Sequence, residues 1–304
     1  MKNTLYTSIR TFLALGLLLT SAVSFAQDSE VAREARAYIE EDTFTIWNVS
    51  DKKDAVIFAN MAYIREEPNS KSLLLDSLPV GSAIKFIGNG AYNPTFIRGM
   101  ELPWYHIEYT VNNKKKKGYI WLGLVSLDVK KDPKTGNQFI YGFPWKSNEE
   151  DNIYYWCELK VLDASKKVIA SKSFPFYHNE QSYTLAEFSD PNGTLEAKSI
   201  YSIQFLGEAC GISTQVFNFA WTGEKIIDLP KTTSVSDAGV FYYSEELLFP
   251  NQHKKGKNLI VKAIEEGESE TDINDETVSE IKYKVKKSEV VYEWDGKSYV
   301  KKNI

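Results

Sequence analysis

Residues 102–127, LPWYHIEYTVNNKKKKGYIWLGLVSL, consist of two runs of alternating apolar and polar side chains around a short polar segment. Successive side chains of a β-strand point to opposite faces, so this alternation predicts two strands. It places Trp104, His106 and Glu108 on one face of the first strand. The segment NNKKKK is the predicted turn, because Asn tolerates the left-handed backbone conformation.

The region before this hairpin carries further short apolar runs. VIFANMAYI, SLLLDSL and AIKFI are separated by EEPNS, PVGS and GNGAYNP, and each separator contains Gly, Pro or Asn. Five short strands at this spacing predict a small barrel, or a compact pair of sheets, over residues 51–130. Residues 88–103 are predicted to form an extended loop, a place where binding specificity is often found.

Four sequence elements in residues 52–130 occur in an order that resembles the bacterial SH3 (SH3b) family. They are a strand ending at a proline turn, a glycine before a strand, a strand opened by tryptophan, and a final Gly-aromatic-aliphatic triplet. The matching positions are Ile64, Arg65 and Pro68, then Gly81, then Trp104 and Tyr105, and finally Gly118, Tyr119 and Ile120. The chain departs from the family pattern at Tyr63, where Asn is usual, at the two glutamates before Pro68, and in the long stretch 88–103.

The resemblance implies an SH3-like barrel that binds cell-wall peptide or another extended peptide through exposed aromatic rings. Both faces of the predicted strands hold aromatics, so some rings are expected outside the core. Flat rings offer contact area at low entropic cost. The candidate ligand-binding residues are Tyr63, Trp104, Tyr119 and Trp121. For each of them, packing in the core is the alternative interpretation.

The second half of the chain predicts an all-β domain over residues 139–304, after a polar boundary at 128–139. Eleven short runs follow between residues 153 and 302, with turn-like separators such as DASKK and DPNGT. FNFAWTGEKIIDL and VVYEWDGKSYVKK each place a glycine between two such runs, which is a hairpin signal. A closed propeller needs about four blades or more, so a β-sandwich is favoured over a partial propeller-like arrangement.

The N-terminus has the pattern of a signal peptide over residues 1–26. Lys2 and Arg10 precede an apolar run that ends near Ala26 in small residues, and residues 27–50 form a lead-in segment with one helix-like run. Export to the periplasm or medium is expected, without membrane insertion after cleavage. Cleavage leaves 34 of the 36 basic side chains against 41 acidic ones, a net charge of −7. Bulk charge therefore gives no reason to expect nucleic acid as a partner.

In an oxidising compartment the two cysteines, Cys157 and Cys210, are expected to form a disulfide, with two unpaired buried thiols as the alternative. The acidic stretch 265–276 contains possible Ca²⁺ ligands, but its spacing lacks that of a Ca²⁺ loop, and a solvated hairpin loop is favoured. These residues are Asp272, Asn274, Asp275 and Glu276.

The sequence has three histidines and contains neither a zinc-binding spacing nor a phosphate-binding glycine loop. We therefore predict a non-enzymatic binding protein without catalytic residues, metal ligands or cofactors. One alternative is a cell-wall or glycan hydrolase with its active site in the C-terminal β domain, where Cys210 is the candidate nucleophile. A structural partner within a surface complex is a third interpretation.

Overall fold

The computed structural model describes residues 44–49, 53–149, 152–271 and 281–302. Within them the chain forms nineteen β-strands and two short 3₁₀ helices, Phe44–Trp47 and Leu122–Leu124. The strands form three antiparallel sheets. The predicted all-β fold class is confirmed.

The first sheet has six strands in the order β1-β4-β5-β6-β2-β3. Their bounds are β1 Asp54–Val56, β2 Met61–Arg65, β3 Leu74–Pro79, β4 Ala83–Ile97, β5 Met100–Val111 and β6 Lys114–Trp121. The sheet is open: among the residues described, β1 and β3 are its two edges and do not pair with each other. The segments that follow β1 and β6 are linked by an isolated bridge between Ile57 and Val125 and by backbone hydrogen bonds such as Phe58 N–H to the Leu124 carbonyl at 2.9 Å. The expected closure into a barrel is thus not found.

The predicted loop at residues 88–103 is wrong, because most of it belongs to a long hairpin. β4 continues to Ile97 and β5 begins at Met100, and the turn between them is formed by Arg98 and Gly99 with φ of 55° and 79°. Two consecutive residues at positive φ make the tight turn that suits the twist of a hairpin. Sequence analysis missed the strand because GNGAYNP contains three residue types that usually mark a turn.

The turn between β5 and β6 is formed by Asn112 and Asn113, with φ of 51° and 59°. The predicted left-handed asparagines are therefore confirmed. The four lysines that follow, 114–117, belong to β6 and are exposed, so the turn is shorter than NNKKKK.

The second sheet has the order β10-β9-β8-β7. Its strands are β7 Asp128–Lys131, β8 Gln138–Glu149, β9 Asn152–Leu162 and β10 Val168–Phe176. The predicted boundary at 128–139 is in fact the β7–β8 hairpin, where the N–H of Asp132 donates to the Asn137 carbonyl at 2.8 Å. β8 had no counterpart among the predicted strands. It contains a bulge between Gly142 and Trp145, and Pro144 lacks the N–H that a regular ladder needs.

The third sheet is a nine-stranded meander in which β14 pairs beside β15 on the same strand, β13. Its strands are β11 Tyr183–Ser189, β12 Ser199–Leu206, β13 Thr214–Trp221, β14 Ile226–Asp228, β15 Thr232–Asp237, β16 Phe241–Leu248, β17 Leu259–Ser269, β18 Tyr283–Trp294 and β19 Tyr299–Lys301. Both predicted glycine hairpins, β13–β14 and β18–β19, are present. Gly223 and Gly296 occupy their turns with φ of 99° and 97°.

The second and third sheets pack face to face through aromatic side chains. The ring centroids of Phe176 and Phe205 lie 3.8 Å apart, and those of Phe139 and Tyr201 lie 4.8 Å apart. This arrangement is a β-sandwich, as predicted, with its core between the two inner faces.

The first sheet joins the same core rather than forming one of its own. A single cluster of buried side chains contains Ile107 of the first sheet, Leu159 of the second and Phe219 of the third. Phe58, which follows β1, packs directly on Gly142 of β8, where a Cβ atom would lie 2.7 Å from the Phe58 ring. The predicted regions 51–130 and 139–304 therefore share one continuous core.

Three predictions fall wholly or largely outside the described residues: the signal peptide at 1–26, the helix-like run before residue 44, and the acidic positions 272–276. Of the lead-in segment, Ile46 and Trp47 are described and are buried in the shared core. Of the acidic stretch, residues 265–269 belong to β17 rather than to a loop. No helix in the part of the chain that is described has the length and apolarity needed to cross a membrane.

Candidate ligand-binding surfaces

Two of the four predicted ligand-binding residues are buried. Trp104 and Trp121 lie directly opposite each other on β5 and β6 and are 3% and 1% exposed. The indole N–H of Trp104 donates to Thr95 Oγ1 at 2.8 Å, and that of Trp121 donates to the Leu102 carbonyl at 3.0 Å. Both acceptors come from the stretch that was predicted to be a loop. The rings of Trp104 and Trp121 are therefore not available at the surface, contrary to expectation.

The other two predicted residues, Tyr63 and Tyr119, belong to a patch that we call the tyrosine surface: Tyr63, Tyr92, His106 and Tyr119. The rings of His106 and Tyr119 are stacked with centroids 4.8 Å apart, and the Tyr92 ring meets Tyr119 edge-on at 5.3 Å. These three side chains are half-buried, while Tyr63 is 50% exposed on the neighbouring strand. Sequence analysis missed Tyr92 because it lay in the predicted loop.

His106 was assigned to a strand but not to the site. It faces Tyr119 directly across β5 and β6. The sequence feature that could have assigned His106 to the site is its position on the same strand face as Trp104, which was a candidate, and Glu108.

The tyrosine surface has a basic rim. Lys85, Glu108 and Lys117 form a cross-strand row beside His106, and Glu108 also pairs with Lys115 at 2.9 Å. The hydrogen bond from Lys115 lowers the pKa of Glu108. Arg65 lies opposite Tyr119 on β2. Asp54 on β1 lies opposite Lys85, so the rim has two carboxylates, Asp54 and Glu108. They are outnumbered by four positive charges, those of Arg65, Lys85, Lys115 and Lys117, and this favours a ligand that carries negative charge.

The surroundings of His106 favour its neutral form over its protonated form. Its pKa is lowered first by burial and second by the charge of Lys117. A neutral imidazole stacked on a phenol ring can donate or accept one hydrogen bond at its exposed edge.

A second aromatic patch, which sequence analysis missed, lies on the outer face of the second sheet. We call it the tryptophan surface: Trp145, Tyr154, Trp156 and Tyr177. Trp145 and Trp156 are directly opposite each other on β8 and β9, with ring centroids 5.8 Å apart and planes 21° apart. Strand alternation could have identified this patch, because it places Tyr154 and Trp156 on the face of β9 that points away from the buried Cys157.

The predicted disulfide is wrong, since both cysteines are free. Cys157 points from β9 into the sandwich core, where burial raises the pKa of its thiol well above the usual value. Cys210 is exposed in the loop between β12 and β13. Cysteine count and compartment could not reveal that one side chain faces inward and the other outward.

Cys210 lies at a surface cavity of about 350 Å³ between its loop and β15–β16. Hydroxyl side chains line much of it, among them Thr214, Ser234, Ser236, Tyr242 and Ser244. None of the lining residues is a histidine, so the thiol has no imidazole base beside it there.

Within the described ranges, no group of three or more His, Cys, Asp or Glu side chains is placed to hold a metal ion. Comparisons with protein-family models, with curated proteins and with solved structures find no match to this chain.

Proposed function

We propose that this chain is an exported, non-enzymatic binding protein that holds an extended peptide, from the cell wall or another source, across the tyrosine surface. The observation that carries the proposal is the contact of three half-buried rings, Tyr92, His106 and Tyr119, on one open sheet face. The export component is supported by the residue pattern at 1–26.

The chemistry of the tyrosine surface suits a peptide with a carboxylate. Preformed contacts hold the rings in place, so little side-chain entropy is lost when a ligand lies on them. Arg65 lies opposite Tyr119 on β2, and Lys117 lies two residues before Tyr119 on β6, so an acidic group on the ligand would have positive charge beside the ring. One guanidinium nitrogen of Arg65, Nη1, also donates to the Ser72 carbonyl at 2.8 Å. Charge on the rim steers such a ligand and fixes its orientation more than it adds affinity.

The alternative of a wall or glycan hydrolase receives less support from the geometry. Cys210 is its candidate nucleophile, and the cavity beside that thiol offers hydroxyl groups but no histidine. Turnover of wall fragments that is lost in Cys210→Ala would favour the hydrolase over the binding protein.

The test is co-sedimentation with purified peptidoglycan, together with titration of soluble acidic wall peptides. Tyr119→Ala should lower the affinity about tenfold, because a central ring contact is removed. Tyr183→Ala is the matched control, since Tyr183 is half-buried at the edge of the third sheet, on β11. Circular dichroism of each variant confirms that the fold is kept.

Two results would overturn the proposal. One is a wild-type protein that binds neither the wall nor the soluble peptides. The other is a folded Tyr119→Ala variant that binds as tightly as the Tyr183→Ala control.

A further inference from the structure

The tryptophan surface lies on the outer face of the second sheet, around the bulge in β8. Phe58 and its neighbours cover one end of this face, packing on Ile140, Gly142 and Leu162. The bulge at residues 142–145 turns Trp145 to the outside beside Trp156, and the residues that the structure describes leave the Trp145 ring 38% exposed. A bulge that re-aims one side chain onto an exposed face is a feature often found next to functional sites.

The four rings of the tryptophan surface contact one another and remain accessible. The Tyr154 centroid lies 5.8 Å from those of both Trp145 and Trp156, and 5.4 Å from that of Tyr177. Trp145 is 38% and Tyr177 is 50% exposed. Contiguous exposed rings of this kind mark interaction sites, since isolated apolar side chains are common on surfaces but clusters are not.

The polar tips of these rings point to a ligand with hydroxyl groups. In the part of the chain that the structure describes, the indole N–H groups of Trp145 and Trp156 and the hydroxyl of Tyr154 have no hydrogen-bond partner. They differ in this from Trp104 and Trp121, whose N–H groups are satisfied within the protein. The surface therefore offers donors at the edges of flat apolar rings.

Two of the charges beside the tryptophan surface, those of Glu158 and Lys160, compensate each other. Glu158 and Lys160 follow Trp156 on the same face of β9, and Lys160 Nζ lies 3.4 Å from Glu158 Oε2. The Lys160 ammonium also donates to the Phe58 carbonyl at 3.1 Å and to Asn60 Oδ1 at 2.9 Å. Arg98 stands at the margin, on the tip of the β4–β5 hairpin. The centre of the surface thus carries no net charge to attract an ionic ligand.

We propose that the tryptophan surface is a second binding site and that its ligand is a neutral oligosaccharide. A sugar ring presents a flat face of C–H groups, which packs on an aromatic ring, and a rim of hydroxyls, which accept from indole N–H groups. An apolar peptide would leave those donors unpaired, and an acidic ligand would find no free cation at the centre. This site is independent of peptide binding at the tyrosine surface.

The experiment titrates the full chain with two neutral oligosaccharides, chitotetraose and cellotetraose, and follows the indole ¹H–¹⁵N signals. At least one of the two sugars should bind the wild type. Trp145→Ala and Trp156→Ala should each lower the affinity for that sugar about tenfold. Trp294→Ala is the matched control, because Trp294 is a half-buried tryptophan that packs on Tyr299 far along the third sheet. Trp294→Ala and Tyr119→Ala should both bind the sugar like the wild type.

The sugar proposal and the peptide proposal fail separately. The glycan site is overturned if neither oligosaccharide gives a saturable shift of the Trp145 and Trp156 signals in the wild type. It is equally overturned if the two tryptophan variants bind sugar as tightly as Trp294→Ala. Saturable shifts of the same two signals on adding an aromatic peptide, with none on adding either sugar, would assign the surface to a different ligand.

Discussion

Two cross-strand tryptophan pairs occur in this protein, and they have opposite surroundings. Trp104 and Trp121 face each other across β5 and β6, and Trp145 and Trp156 across β8 and β9. The first pair is buried, with every indole N–H bonded inside the protein. The second is open to solvent at the bulge. The comparison shows that a cross-strand tryptophan pair is buried or exposed according to the backbone that packs over it. A covered pair stabilises the fold, and an uncovered pair remains accessible to a ligand.

The largest expected difference between the two pairs is in stability. Trp121→Ala should lower the free energy of unfolding by about 3–5 kcal/mol, because a fully buried indole leaves a cavity. Trp156→Ala should cost about 1 kcal/mol, since its ring is only partly covered. Urea denaturation of both variants measures this, and equal losses would mean that the pairs do not differ as described.

The hydrogen bond over the buried pair gives a second, smaller effect. Thr95→Val removes the oxygen that accepts from the Trp104 N–H and should destabilise the fold by about 1–3 kcal/mol. Thr95→Ser keeps the hydroxyl and is the control. If Thr95→Val and Thr95→Ser unfold at the same urea concentration, the Trp104 N–H does not depend on the Thr95 hydroxyl, and the proposed contribution of this hydrogen bond is wrong.

Salt should separate the tyrosine surface from the tryptophan surface. Rising salt screens the charges of Arg65, Lys85 and Lys117, so the affinity for an acidic peptide should fall by up to about fivefold. The affinity for a neutral oligosaccharide should stay constant, because the sugar carries no charge for the salt to screen. Titrations at low and high salt test this, and parallel losses would contradict the difference in charge.

The smallest effect concerns pH and the histidine of the tyrosine surface. Burial, and then Lys117, lower the pKa of His106 below its usual 6.5, so protonation favours the unfolded chain. The contribution of His106 to stability is therefore fully present above about pH 6.5 and is lost as the pH falls through the lowered pKa. Glu108, Tyr92 and Tyr119 are its other polar neighbours.

His106→Gln should lose less stability than the wild type over this acidic range. Burial also lowers the pKa of His178, so a decline should persist in the variant. Unfolding free energies of both proteins across this pH range provide the measurement. A difference between them that does not change with pH would show that His106 does not contribute.

Local signals in the sequence predicted several of the strands and turns, but not the second half of β4 or β8. Asn112 and Asn113, and the glycines at 223 and 296, occupy the turns where their backbone preferences place them. The alternation of β5 and β6 predicted which side chains share a face, because it depends only on the strand period. Of the candidates on these two strands, Trp104 and Trp121 are buried, while the proposed role of Tyr119, like that of Tyr63 on β2, remains a prediction.

What the sequence did not predict depends on contacts between distant segments. β4 runs through glycine, asparagine and proline because β5 pairs with it, and its own residues do not signal this. The burial of Trp104 and Trp121 follows from that same strand. The exposure of Trp145 depends on a bulge in β8, and this bulge is defined only by how β8 pairs with β9. Strand alternation alone cannot report which of two faces another part of the chain covers.

The shared core has a consequence for ligands that combine two chemistries. Lys160 ties the second sheet to the Phe58 carbonyl, and the Lys146 N–H ties it to the Arg98 carbonyl of the first sheet at 2.9 Å. The two aromatic surfaces are thus held at a constant spacing. A polymer in which peptides branch from a sugar chain would, once captured at one surface, meet the other at high effective concentration. Two weak binding sites would then give one high overall affinity, because the polymer dissociates only when both sites release it at the same time.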